Sequence, residues 1–256
     1  MKLMTHIVAG YPTTEESEKI AMAMYESGAS FIEVQMPFSD PIADGPTIMK
    51  ANEIALQNGM TTQKCLKIVK RLKRKIKIPI LIMTYFNIVF NYGLEKFCED
   101  ASNAGVYGLI IPDIPIDEEK HEHYVDFCRK NNLHPIQVIS PITSSLRLKT
   151  ISKVASGFVY CISTHGTTGV RAQMDSNLGK YLKNVRKYIK IPLAVGFGVS
   201  SKEQVELLDK SADIVVIGSK IIDLYKEAKM DKIGAIKNFL KTIMRVNPLY
   251  KKQNLS

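Results

Sequence analysis

The chain has 256 residues, 45% hydrophobic and 23% charged, which is the balance of an ordinary globular protein. That length supports a large buried core, and ~250 residues is the typical size of one closed (β/α) barrel. The net charge of +10 comes mostly from lysines scattered along helical stretches such as residues 67–77 and 180–190. Aromatic residues are sparse among them, with none in 67–77 and only Tyr181 and Tyr188 in 180–190, which argues against nucleic-acid binding and for a solvated basic surface able to attract anions.

Four cysteines, Cys65, Cys98, Cys128 and Cys161, lie far apart with no CxxC or CxxH spacing. That argues against a zinc site or a disulfide framework and suits a reducing cytosol. His121 and His123 are two apart on a predicted helix, face different directions and make a poor metal pair. No apolar run approaches the length of a membrane span, and the first residues lack the apolar core of a signal peptide. A cytoplasmic protein without a metal is expected.

The predicted elements alternate from the start. A strand at residues 5–9 carries His6, either an inward residue lining a pocket or a core histidine with its bonds satisfied. Ala-Gly-Tyr-Pro12 follows it, not GxGxxG, so the dinucleotide fingerprint of an open doubly wound sheet is missing. A helix at 15–27 leads to a strand at 31–35, where Phe31, Glu33 and Gln35 share one side and Ile32 and Val34 the other. A turn-rich loop then runs through Asp40 to Asp44-Gly-Pro46. Glu33 and Asp44 thus reach one strand end from different backbone elements, an arrangement open to acid–base chemistry. A salt-bridged strand glutamate with an ordinary turn aspartate is the alternative.

Helical periodicity follows at 62–74, 94–103, 118–131, 145–154, 178–188, 202–209 and 233–245. The strands between them fall at 80–84, 108–112, 135–140, 158–163, 193–196 and 214–218. Eight strand–helix repeats with strands too apolar to be half-exposed predict a closed, parallel (β/α)8 barrel, one domain over residues 1–256. Chemistry in such a barrel gathers at the C-terminal ends of the strands. Gly196-Phe-Gly198 leaves the seventh strand, and Gly218-Ser219 leaves the eighth and opens a short helix at 221–228. Two glycine loops at these positions predict a phosphate cradle built on backbone N–H groups and a helix dipole. Gly166-Thr-Thr-Gly169 leaves strand six and can close over the same anion.

Taken together, these residues resemble the tryptophan synthase alpha subunit from about His6 to Phe239. The resemblance rests on Glu33 with Pro37-Phe-Ser-Asp-Pro-Ile-Ala-Asp-Gly-Pro46, on residues 84–93, and on Pro112-Asp-Ile-Pro115. Tyr160 and the three glycine loops extend it. Three positions differ from the family pattern: Gln35 stands where glycine is common, Thr164-His165 replaces an arginine-containing run, and most of the leading helix before strand one is lacking.

The resemblance implies a TIM barrel that cleaves indole-3-glycerol phosphate to indole and glyceraldehyde 3-phosphate, a lyase step of tryptophan biosynthesis. It implies Glu33 as catalytic acid and base, Asp44 as acceptor of the indole N–H, and Tyr160 beside them. It implies Thr168, Gly169, Gly196, Phe197, Gly198, Gly218 and Ser219 around the phosphate. Met83, Tyr85 and Ile111 are candidates for the indole slot. Asp40 and Pro41 match contacts to a beta subunit, which carries the pyridoxal phosphate (PLP) that this chain itself would not bind, as an alpha2beta2 complex. A non-catalytic activator of such a partner, or another phosphate-binding barrel isomerase or synthase, are the other functions considered.

Overall fold

Eight short apolar runs pair in chain order into a closed, wholly parallel barrel: β1 Lys2–Val8, β2 Phe31–Gln35, β3 Ile80–Met83, β4 Gly108–Ile110, β5 His134–Ile139, β6 Val159–Ile162, β7 Leu193–Gly196 and β8 Ile214–Ile217. The structure is a computed structural model in which residues 1–162, 176–196, 198–208 and 211–244 are described. Lys2 and Leu3 pair with Ile214 and Val215 and so close the barrel, which is why β1 starts at Lys2 and not at residue 5. At least one helix follows each strand.

Alternation along the strands sorts side chains into two shells. Met4, Phe31, Leu81, Met83, Ile110, Ile136, Phe158, Ala194, Ile214 and Val216 pack inside the barrel. Ile32, Val34, Ile80, Ile82, Leu109, Val159, Val195, Val215 and Ile217 face outward, under the helices. Each such side chain contributes about 1.5–3 kcal/mol on full burial. Gly108 lets β4 and β5 approach, because a Cβ there would lie 2.6 Å from the His134 carbonyl oxygen.

The helix Thr62–Lys75 shows how the outer layer is written. Thr61 accepts a hydrogen bond from the Lys64 N–H at 3.3 Å and caps the start. Cys65, Ile68, Val69 and Leu72 form the buried stripe, with lysines and arginines on the solvent side. Lys73, Arg74 and Lys75 fill the last turn, where the helix dipole favours cations.

The predicted helix 118–131 is two helices, Glu119–Glu122 and Tyr124–Lys130. His123 adopts a left-handed φ of 54° at the break. The Glu119 carboxylate then accepts the Val125 and Asp126 N–H groups at 2.7 and 3.1 Å, capping the second helix. The helices Pro46–Gln57 and Phe86–Tyr92 are additional to the predicted set. Pro46 ends the turn-rich loop but is also the first residue of its helix, where a missing N–H costs nothing. Among the described residues no helix is long and apolar enough to cross a membrane.

Candidate active site

Two residues before the C-terminal end of β2, Glu33 faces into the barrel and is 3% exposed. Its register partner on β1 is His6. The His6 Nδ1 lies 2.9 Å from Glu33 Oε1, and both side chains are buried. Burial alone would lower the imidazole pKa, but the Glu33 carboxylate beside it reverses this and holds it above the ordinary 6.5. Glu33 Oε2 and His6 Nε2 are buried with no hydrogen-bond partner among the described residues. Each such atom costs about 1–3 kcal/mol, so a mouth that keeps both is arranged to receive polar groups.

Asp44 comes from the loop after β2. Gln35, two residues beyond Glu33 on the same side of the strand, donates its amide to Asp44 Oδ2 at 2.5 Å. Tyr85 donates its hydroxyl to the same oxygen at 3.0 Å and accepts the Ala43 N–H at 3.1 Å. Phe38 stacks on the Tyr85 ring with centroids 5.2 Å apart. Asn52, buried on the helix Pro46–Gln57, accepts the Phe38 N–H at 3.0 Å. Three residues from outside the loop, Gln35, Tyr85 and Asn52, therefore hold it. Burial pushes the Asp44 carboxyl pKa up; the Gln35 hydrogen bond, the His6 charge and the Tyr85 hydroxyl oppose that, and the net shift is upward.

Tyr160 on β6 packs against the inner cluster. Its phenol pKa is pushed well above 10 by burial, with added repulsion from the Glu33 and Asp44 charges. Its ring lies against Gly196, where a Cβ would come within 2.7 Å of the hydroxyl oxygen. Gly198 follows with a left-handed φ of 62°. After the neighbouring β8, Gly218 precedes the helix Ser219–Glu227, whose start has no side-chain cap. Its first-turn N–H groups can bind an anion. Gly218 packs over His6, with a Cβ there meeting the His6 Cβ at 3.5 Å. The two glycine corners, His6, Glu33, Asp44 and Tyr160 thus gather at one end of the barrel.

Other predicted site residues fall differently. Met83 is inside the barrel near Tyr85, but Tyr85 is fully buried as a prop for Asp44. Ile111 packs with the outer shell, while its neighbour Ile110 faces inward. Asp40 is exposed and Pro41 is buried; the large apolar residue this loop exposes is Ile42, at 80%. Thr168, Gly169 and Phe197 lie outside the described residues. The His6–Glu33 bond, the Asn52 anchor and the two donors to Asp44 escaped sequence reasoning, because they depend on strand register and loop path. Inward alternation of His6 and Glu33 on consecutive strands was the available signal for the first.

A family model described as "Tryptophan synthase alpha chain" matches residues 1–249. The tryptophan synthase alpha chain of Desulfotalea psychrophila is 43% identical over 232 residues, 91% of each chain. That of Petrotoga mobilis is 40% identical over 244 residues, 94% of each. Among solved structures, tryptophan synthase subunit alpha from Legionella pneumophila superposes with a TM-score of 0.88 at 30% identity, covering 96% of this chain and 92% of that one. A chain of Mycobacterium tuberculosis tryptophan synthase gives 0.87 at 31% identity, with 96% and 91% covered. A barrel with a buried glutamate and a half-buried aspartate at its mouth, and relatives aligned along nearly their whole length, lead to one assignment: the chain belongs to the tryptophan synthase alpha chain family.

Proposed function

We propose that this chain cleaves indole-3-glycerol phosphate into indole and glyceraldehyde 3-phosphate, with Glu33 as acid and base and Asp44 as the partner of the indole N–H. As a family member it is a lyase-type subunit of tryptophan biosynthesis. The observation that carries the reading is the buried, inward Glu33, whose Oε2 has no hydrogen-bond partner among the described residues, at the same mouth as a loop-held Asp44.

The chemistry balances on these groups. A proton passes from the Glu33 carboxyl to indole C3, and the positive charge spread to the ring nitrogen is stabilised by Asp44 accepting its N–H. The carboxylate then takes the proton of the side-chain hydroxyl. The O–H electrons form the aldehyde C=O, and the breaking C–C bond returns its pair to the ring. The phosphate sits against Gly169, Gly196, Phe197, Gly198, Gly218 and Ser219, while Thr168 reaches Asp44 when its loop closes and water is excluded. Tyr160 packs beside the reacting centre and Met83 flanks the indole, while Tyr85 serves by holding Asp44.

In this reading the whole chain is one catalytic unit in the cytoplasm, which its buried free cysteines support. It needs no cofactor of its own and pairs as alpha2beta2 with a beta subunit that carries pyridoxal phosphate. Asp40 and Pro41 lie in the loop assigned to that partner.

Purified chain with indole-3-glycerol phosphate tests the proposal, with and without a beta subunit. Indole release, raised by the partner, supports it. Activation of the partner without cleavage would replace it with a purely activating role.

A further inference from the structure

His6 occupies a place in the site that the lyase chemistry above does not use. It is the register partner of Glu33 on β1, it is 4% exposed, and its Nδ1 bonds Glu33 Oε1 at 2.9 Å. An imidazole that merely filled the core would have both nitrogens satisfied, yet Nε2 makes no hydrogen bond of ordinary geometry among the described residues, although the Gln35 side chain is near enough to favour the charged ring. A buried charge pair recovers its desolvation cost only with good geometry and further bonds. Here one oxygen and one nitrogen are left without them, at the mouth where substrate enters.

We infer that His6 is a positioning residue for the acid–base step: its Nδ1–H holds Glu33 Oε1, so that Oε2 is the oxygen that exchanges protons with substrate. The inference rests on the lyase function proposed above. When Glu33, protonated on Oε2, hands that proton to C3, the carboxylate restored is the one the imidazolium holds by its other oxygen. Oε2 then takes the hydroxyl proton, and the His6 proton is never consumed. The groups acting on His6 are Glu33 and Gln35 from β2 and Asp44 from the loop after it; from β8 the neighbour is the Gly218 backbone. Both carboxylates favour the charged imidazole. Gly218 also begins the uncapped helix, so His6 lies between the acid and the anion cradle.

Two variants and one spectroscopic titration test this. His6→Phe removes the donor and the charge; His6→Asn keeps an N–H donor without a titration. Orienting partners and acid–base groups suggest that His6→Phe lowers kcat for indole release by roughly tenfold to a hundredfold. KM should stay within about threefold, because substrate binding is left to other groups. His6→Asn should recover part of kcat. Wild-type kcat should fall as pH rises through the His6 titration, and both variants should lack that limb. The His6 ring nitrogens, followed by NMR without substrate, should titrate above 6.5 in the wild type and move down in Glu33→Gln.

A His6→Phe enzyme with unchanged kcat and pH profile, or a wild-type His6 titrating at or below 6.5, overturns the inference. The two proposals fail separately. A wild-type chain that releases no indole with its partner present defeats the lyase function, while the imidazole titration, which needs no substrate, still decides the His6–Glu33 pair.

Discussion

Gln35 donates its side-chain amide to Asp44 Oδ2 across 2.5 Å, tying a loop carboxylate to the strand that carries Glu33. The two acids are thereby set relative to each other by a single inward-facing strand end. Tyr85 supplies the second donor to the same oxygen, and no described residue hydrogen-bonds Oδ1. That leaves Oδ1 to accept a proton donor from a ligand.

Replacing Gln35 with Ala removes one of the two fixed donors. A hydrogen bond to a charged group is worth about 1.5–3 kcal/mol, which corresponds to roughly tenfold to a hundredfold in kcat/KM for indole release. Steady-state kinetics check this. An unchanged kcat/KM would mean that Tyr85 alone orients Asp44.

Tyr85→Phe keeps the ring that stacks on Phe38 but removes the hydroxyl that joins Ala43 and Asp44. Two hydrogen bonds go at once, so stability should drop by about 1–3 kcal/mol and kcat/KM should fall with it. Urea unfolding and the indole assay read the two effects. A variant as active and as stable as the wild type would show the hydroxyl to be idle.

Gly196→Ala places a methyl group against the Tyr160 hydroxyl, where only 2.7 Å is open. Over-packing of this kind costs about 1–3 kcal/mol, and the ring must tilt into the mouth to relieve it. Binding of glycerol 3-phosphate, followed by calorimetry, should weaken while the far-ultraviolet circular dichroism stays that of the wild type. Undiminished binding would argue that the Gly196 corner lies off the phosphate site.

The raised imidazole pKa of His6 predicts a pH dependence of folding. A group that binds its proton more tightly when folded contributes stability that is fully present below its unfolded value, 6.5, and lost as pH rises through the folded value. The stability difference between the wild type and His6→Asn, from urea midpoints, should therefore shrink as pH rises above 6.5. A difference that grows with pH would reverse the sign of the His6–Glu33 interaction.

Much of the architecture is legible in the residues, and the misses have identifiable causes. The Phe31-Ile-Glu-Val-Gln35 alternation is enough to face Glu33 and Gln35 with Phe31, and eight apolar runs between helical segments are enough for a closed barrel. The helix Pro46–Gln57 was hidden because proline after Asp-Gly reads as a turn, whereas at a first helical position it is a start. The break at His123 was hidden because helical periodicity carries no sign of one left-handed residue. The partners of the acids were hidden for a deeper reason. Which residue on β1 lies opposite Glu33, and which ring supports Asp44, follow from register and loop path over 27 and 41 positions of sequence separation.

The most direct test of the account is the rate of indole release from indole-3-glycerol phosphate by Glu33→Gln beside the wild type, each with a saturating beta subunit. General acid–base groups are worth roughly 10²–10⁴ in rate, so the variant should lose at least about a hundredfold while its affinity for glycerol 3-phosphate is kept. A loss of under about threefold would contradict the assignment of Glu33 as the group that moves the proton.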